Sequence, residues 1–261
     1  MVVTKEVVRI TGVVELVKKS WEAFRENWKG YLWFQLLAGI VVSLPLAVLS
    51  GVFFMRHWEG ISSLAKAEVV TSKQRIMEIL LQLISDPLVF IIIVVMLTLG
   101  TVVTLAFGQY VYQRLMGKDK PSIKESYVYG LKNFFPYLLL SIVVGLFILS
   151  GFVLLIIPGF IFAVWMAFYR TVFILEGKRG LDALKRSREL VQGYFWPLVG
   201  RLAAYFIPVS IVDQMLTELA DNTGTLATIG TPLQIIFSLI TSIVGVIYLF
   251  YIYQDLVEIK K

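Results

Sequence analysis

The sequence predicts an all-α membrane protein. It has six transmembrane helices in three hairpin-like pairs, each pair preceded by an amphipathic cytoplasmic interfacial helix. Three observations predict this. The 261 residues are 58% hydrophobic and only 16% charged, where a soluble domain averages about 45–50% and about 25%, and the mean hydropathy is +0.80. Six charge-poor apolar stretches are each long enough to cross a hydrocarbon core of about 30 Å. Finally, three basic, aromatic junctions share one pattern, and each precedes two such stretches.

Residues 5–29 open the chain. Val13, Val17, Trp21, Phe24 and Trp28 share one helix face, and Lys18, Lys19, Glu22, Arg25, Glu26 and Lys29 fall mostly on the other. A helix of that kind lies in the interface. Tyr31 to Met55 is the first span, with Pro45 as a kink point. In the polar connection 56–86, the run Ile76–Ile84 is too short to cross and is expected on the outer surface. Asp86-Pro87 reads as an N-cap followed by proline at the first helical position. Span two continues to about Tyr112, with Gly100, Thr104 and Gly108 as a small-residue packing stripe.

Residues 113–134 repeat the amphipathic element. Ser122-x-x-Glu125 matches a capping box, and Ile123, Tyr127, Leu131 and Phe134 share a face. Pro136 opens span three, to Ile157; Pro158-Gly159 is expected to turn tightly into span four, which ends near Leu175. The third amphipathic element covers 177–195, with Leu181, Leu184, Val191 and Phe195 as its apolar anchor. Span five runs from Pro197 to about Leu216. After polar, acidic residues 217–231, Thr231-Pro232 is expected to start span six, to about Tyr253.

Aligning the junctions gives Ser20-x6-Asn27-Trp28-x-Gly30, Ser126-x6-Asn133-Phe134-x-Pro136 and Ser187-x6-Tyr194-Phe195-x-Pro197. The chain therefore reads as one polytopic domain, 1–261, with three internal repeats at about 10–112, 120–175 and 180–256. Residues 1–30 hold six Lys/Arg, 113–134 five and 170–195 six, against four in 56–86 and none in 213–231. The positive-inside rule then puts both termini and the basic helices at the cytoplasmic face of the cell membrane. No signal-peptide pattern is read at the N-terminus.

Chemistry-bearing residues are few. Without cysteine there is no disulfide, thiolate metal site or cysteine nucleophile. His57, the single histidine, reads as an interface residue, and no metal site or cofactor is expected. Gly177-Lys178-Arg179-Gly180 lacks the P-loop pattern and fits a lipid-headgroup surface better than a nucleotide. Arg170 and Arg201 are charges at membrane depth, where a charge costs at least about 2.5–3.5 kcal/mol. Either they snorkel to the headgroups, or they face a cytoplasmic vestibule and bind phosphate. Asp213 is read as a local cap or pair. Gln35, Gln109 and Gln234 fit interhelical hydrogen bonds or the lining of a path. Arg170, Lys178, Arg179, Lys185, Arg186, Arg188 and Arg201 form the candidate headgroup-binding set.

The stretch Pro158-Gly159-Phe160, then Phe173 to Gly177, Ala183 to Val191 and Tyr194-Phe195-Trp196 resembles the membrane domain attached to some bacterial glycerophosphoryl diester phosphodiesterases. It also resembles that domain's stand-alone six-span relatives. The resemblance covers about 155–200. It implies a membrane module near lipid metabolism without the hydrolase, because no soluble stretch is long enough for a catalytic barrel.

The expected function is non-enzymatic: binding or moving membrane lipids, anionic ones in particular, or holding a membrane-protein partner. The alternatives are a small-solute permease or permease subunit and, least favoured, a membrane-embedded lipid enzyme, for which no acid–base cluster is present. Nucleic acid is not an expected partner, since the net charge of +6 suits an anionic leaflet.

Overall fold

The computed structural model describes residues 10–66, 81, 85–118, 121–221 and 225–261. Its nine helices, among the described residues, are α1 (Val13–Lys66), α2 (Pro87–Leu115), α3 (Ile123–Lys132), α4 (Phe134–Leu154), α5 (Ile156–Trp165), α6 (Tyr169–Leu175), α7 (Gly180–Val191), α8 (Phe195–Asp221) and α9 (Thr225–Ile259). Six stretches are long and apolar enough to cross a membrane: α1, α2, α4, α5 with α6, α8 and α9. The Ile76–Ile84 run lies outside the described residues except at Leu81.

Proline placement explains where helices restart. Pro136, Pro158 and Pro197 each fall in the first turn of a helix, α4, α5 and α8. There the missing N–H had no partner to lose. The first junction has Gly30 in place of that proline, so nothing interrupts the chain. The expected surface helix and first span are instead one continuous helix of 54 residues, α1. Asp86 caps α2 as expected, its carboxylate accepting from the Leu88 N–H at 2.8 Å. Ser122 accepts from the Glu125 N–H at 3.3 Å and starts α3.

Three boundaries differ from the sequence reading. The turn between α4 and α5 is the single extended residue Leu155, at φ −163° and ψ 146°, and Pro158-Gly159 lies inside α5. Its tightness comes from glycines: a Cβ on Gly151 would sit 2.7 Å from Gly159 Cα. The fourth span breaks at 166–168 into α5 and α6. Thr231-Pro232 starts nothing, because α9 begins at Thr225 and carries Pro232 within it.

Helix α1 packs on α2, α4 on α5, and α8 on α9; α9 also lies along α1, and α3 along α2. The core sits at one end of this bundle. Leu16, Phe24, Tyr31, Phe34, Leu105, Val111, Tyr112, Phe168, Phe173, Leu190, Val191, Ile243, Tyr248 and Leu256 are all buried there. The opposite halves of the spans are mostly exposed, as at Leu44, Val48, Phe90, Met96 and Ile207. Of the apolar windows of α1, α2 and α8, only 6%, 11% and 11% is buried within the protein. The far halves offer their side chains outward, as helices in lipid do, while the basic end is packed as a protein interior.

The expected interfacial helices bury more than foreseen. In α1, Leu16, Ser20, Phe24, Tyr31 and Phe34 face the core, while Val17, Trp21 and Trp28 stay exposed. Helix α3 turns Ser126 and Gly130 inward, and a Cβ on Gly130 would lie 2.6 Å from the Val102 carbonyl oxygen. In α7 the buried residues are Ala183, Leu184, Ser187, Leu190 and Val191. Two expected bilayer anchors, Leu184 and Val191, are therefore core, while Leu181 remains exposed.

Candidate functional site

The site is built where the fourth span breaks. Leaving the helical pattern at 166–168 frees backbone groups that need partners. Ser187, fully buried in α7, supplies them: its hydroxyl donates to the Trp165 carbonyl at 2.7 Å and accepts from the Phe168 N–H at 3.2 Å. One serine thus fixes α7 across the break and sets which of its cations face outward.

Glu176 is the polar hub beside it. It accepts from Arg186 Nε at 3.1 and 3.2 Å and from the Tyr253 hydroxyl at 2.9 Å, and Lys178 lies 3.4 Å away. Gly177, at φ +66°, makes the sharp turn that brings Lys178 back onto its neighbour. Burial opposes ionisation of Glu176. The Tyr253 and Arg186 hydrogen bonds, the Arg186 charge and Lys178 outweigh it and hold the carboxyl below its ordinary value of 4.5.

The other expected cations have separate partners. Arg179 donates to Asn133 Oδ1 at 2.7 Å and stacks 4.0 Å over the Phe173 ring. Arg188 lies 4.4 Å over the Trp165 ring. Arg188 and Lys185 edge a groove of about 210 Å³ whose floor is Phe147, Phe162, Trp165 and Leu184. Arg170 lies among Tyr112, Tyr137 and Tyr169; among the described residues no carboxylate is ion-paired with it. Around it, Tyr112 and Thr171 hydroxyls are 3.0 Å apart and Tyr137 donates to Tyr169 at 3.3 Å.

Arg201 does something else. Its Nε and Nη2 donate to the Thr11 and Ile10 carbonyls at 2.8 and 2.7 Å, and its Nη1 to Pro197 O at 2.9 Å. Asp255 completes the clasp by accepting from the Thr11 N–H at 2.8 Å. All three of its nitrogens are occupied, so it straps the N-terminal segment to α8. Four of the seven cations are thus brought together in two pairs, Lys178 with Arg186 on Glu176 and Lys185 with Arg188 at the groove. Arg170, Arg179 and Arg201 have other partners: the tyrosine cluster, Asn133 with Phe173, and the Ile10 and Thr11 carbonyls.

Several polar contacts were not read from the sequence. Besides Glu176 and Asp255, Arg114 donates to Asn27. At the other end of the bundle Asp86 meets His57 Nε2 at 2.5 Å and Arg56 Nε at 3.5 Å. Asp213 accepts from Ser238 at 2.8 Å, and Gln234 donates to Thr217 at 2.7 Å, so both join α8 to α9. A recurring signal in the sequence does point to the hub: Tyr110-Val-Tyr112-Gln-Arg-Leu115 recurs as Tyr251-Ile-Tyr253-Gln-Asp-Leu256. Tyr112 and Tyr253 reach Thr171 and Glu176 from the two copies. Among known proteins, no family model, no curated protein and no solved structure matches this chain.

Proposed function

We propose that this chain is a non-enzymatic, multi-pass membrane protein that binds anionic phospholipid. The observation that carries the reading is the groove between α4, α5 and α7. Its floor is aromatic and aliphatic, and two cations, Lys185 and Arg188, stand at its edge. An acyl chain fits such a floor and an anionic headgroup such a rim. Each cation near an anionic surface contributes about 1 kcal/mol, and salt screens it. The outward-facing far halves of the spans suit a protein that works on its surrounding lipid. The resemblance of residues 155–200 to a membrane domain near glycerophosphodiester metabolism points the same way.

In this reading the chain is three repeats of junction, span, span, with both termini and the packed end on the cytoplasmic side. The loop charges support the orientation. The repeat is supported by Ser20, Ser126 and Ser187, all fully buried. It is also supported by Asn27, Asn133 and Tyr194, each met by a cation: Arg114, Arg179 and Lys260. The test is native mass spectrometry of lipids retained after mild purification. The Lys185→Gln/Arg188→Gln variant should lose bound anionic lipid relative to wild type, while Arg201→Gln, which alters only the strap, should keep it. Equal retention in all three proteins would sink the groove as the lipid site.

A further inference from the structure

We propose a second, chemically distinct site: a pocket for a phosphoethanolamine headgroup at the first junction. The pocket has a volume of about 490 Å³ and lies between the first part of α1 and the end of α2. Unlike the α7 groove, it carries both signs of charge, Glu26 together with Lys29 and Arg114. Asn27 accepts from Arg114 Nε, and Arg114 Nη1 faces the Lys118 carbonyl at 3.5 Å. This fixes the guanidinium plane and, among the described residues, leaves Nη2 for a phosphate oxygen. Lys29 is held 5.6 Å over the Trp28 ring, and Trp28 is itself half exposed, as an interfacial tryptophan is. Among the described residues neither Glu26 nor Lys29 forms an ion pair.

The pocket exists because the first junction departs from the other two. They carry Pro136 and Pro197 where this one carries Gly30. A Cβ at position 30 would lie 2.6 Å from the Tyr110 hydroxyl oxygen, and Tyr110 also lines the pocket. Glycine lets the tyrosine close against α1 and form the back wall. A phosphate placed at Arg114 and Lys29, with an ammonium at Glu26, uses every charge present. A singly anionic headgroup would leave Glu26 repelling it, and a choline ammonium has no N–H to donate to the carboxylate.

The site is independent of the Lys185–Arg188 groove, and its test separates the two. Wild type and Glu26→Gln are reconstituted in nanodiscs with equal phosphatidylethanolamine, phosphatidylglycerol and phosphatidylcholine, and retained lipid is measured by native mass spectrometry. Wild type should retain phosphatidylethanolamine in preference to phosphatidylcholine, while the Lys185–Arg188 groove accounts for retained phosphatidylglycerol. Glu26→Gln should lower the phosphatidylethanolamine-to-phosphatidylglycerol ratio by about threefold, the size expected for one exposed ion pair. Lys185→Gln/Arg188→Gln should leave that preference intact. Soluble glycerophosphoethanolamine is then added. Displacement assigns the pocket to the free diester, and retention assigns it to the bilayer lipid. Glu26 is exposed, so its replacement does not threaten the fold, and unchanged melting checks this. Absence of the preference in wild type, or an unchanged ratio in Glu26→Gln, overturns the proposal.

Discussion

At the residue scale, the three aligned serines make different bonds and should carry different weights. Ser187 alone bridges two elements, bonding both Trp165 and Phe168. Ser20 and Ser126 donate only within their own helix turns, to Leu16 and Ser122 carbonyls at 2.7 and 3.0 Å. Ser187→Ala should cost about 1–3 kcal/mol, because it strands a buried carbonyl and N–H. Ser20→Ala should cost under about 1 kcal/mol, since a helical carbonyl already has a partner. Thermal melts in one detergent compare them, and equal shifts would refute the bridging role. Glu176 gives a pH prediction. Its carboxyl is held below 4.5, so the stability it contributes is fully present above that pH. It is lost as pH falls through the lower folded value. Wild type should lose more melting temperature than Glu176→Gln between about pH 5 and about pH 3; parallel curves would remove Glu176 as the hub. The sequence marked positions but not these roles: the recurring Tyr-x-Tyr-Gln segment points toward the hub without naming Glu176. The serine spacing marked the positions, but partners 19 and 77 residues away in the chain decide what each does.

At the element scale, the six spans were readable because apolar length is a local property. The exact turns were not, because they depend on which backbones approach. Pro158-Gly159 looks like a turn between apolar runs, yet proline is tolerated in the first turn of α5. Gly159 is needed instead for contact, a Cβ there lying 2.5 Å from the Phe152 ring. Gly159→Ala should therefore cost about 1–3 kcal/mol through overpacking. Gly145→Ala, with nothing within 4 Å, should be neutral or stabilise α4 by about 0.5–1 kcal/mol. Melting of both variants checks the crossing, and a neutral Gly159→Ala would contradict it. The Thr231-Pro232 start failed for a related reason. A residue before proline resists the helix only as a bias, and here α9 continues through it. Because its charge lies at membrane depth, Arg201 was read either as snorkelling to the headgroups or as a phosphate ligand. Its true partners, the carbonyls of Ile10 and Thr11, are 191 and 190 residues away.

At the scale of the whole molecule, the absence of cysteine allows the proposed orientation to be tested with single introduced thiols. In intact cells, an impermeant reagent should label cysteines at Ser85 and Asp221 and spare those at Lys118 and Lys178. The reverse pattern would invert the molecule. The same orientation gives a consequence to the turn between α4 and α5. Val153, Leu154, Leu155, Ile156 and Ile157 are all 68–77% exposed, and α4, of 21 residues, is about 31 Å long. This tip carries no side chain that needs water. Most helix ends are pinned at the headgroups by polar loops, and this one is not. In a thick bilayer the tip can stay submerged, whereas a thin one forces five aliphatic side chains into the aqueous layer. The protein should therefore respond to acyl-chain length one-sidedly: melting in short-chain phosphatidylcholine should fall well below that in medium-chain lipid, while longer chains should change it little.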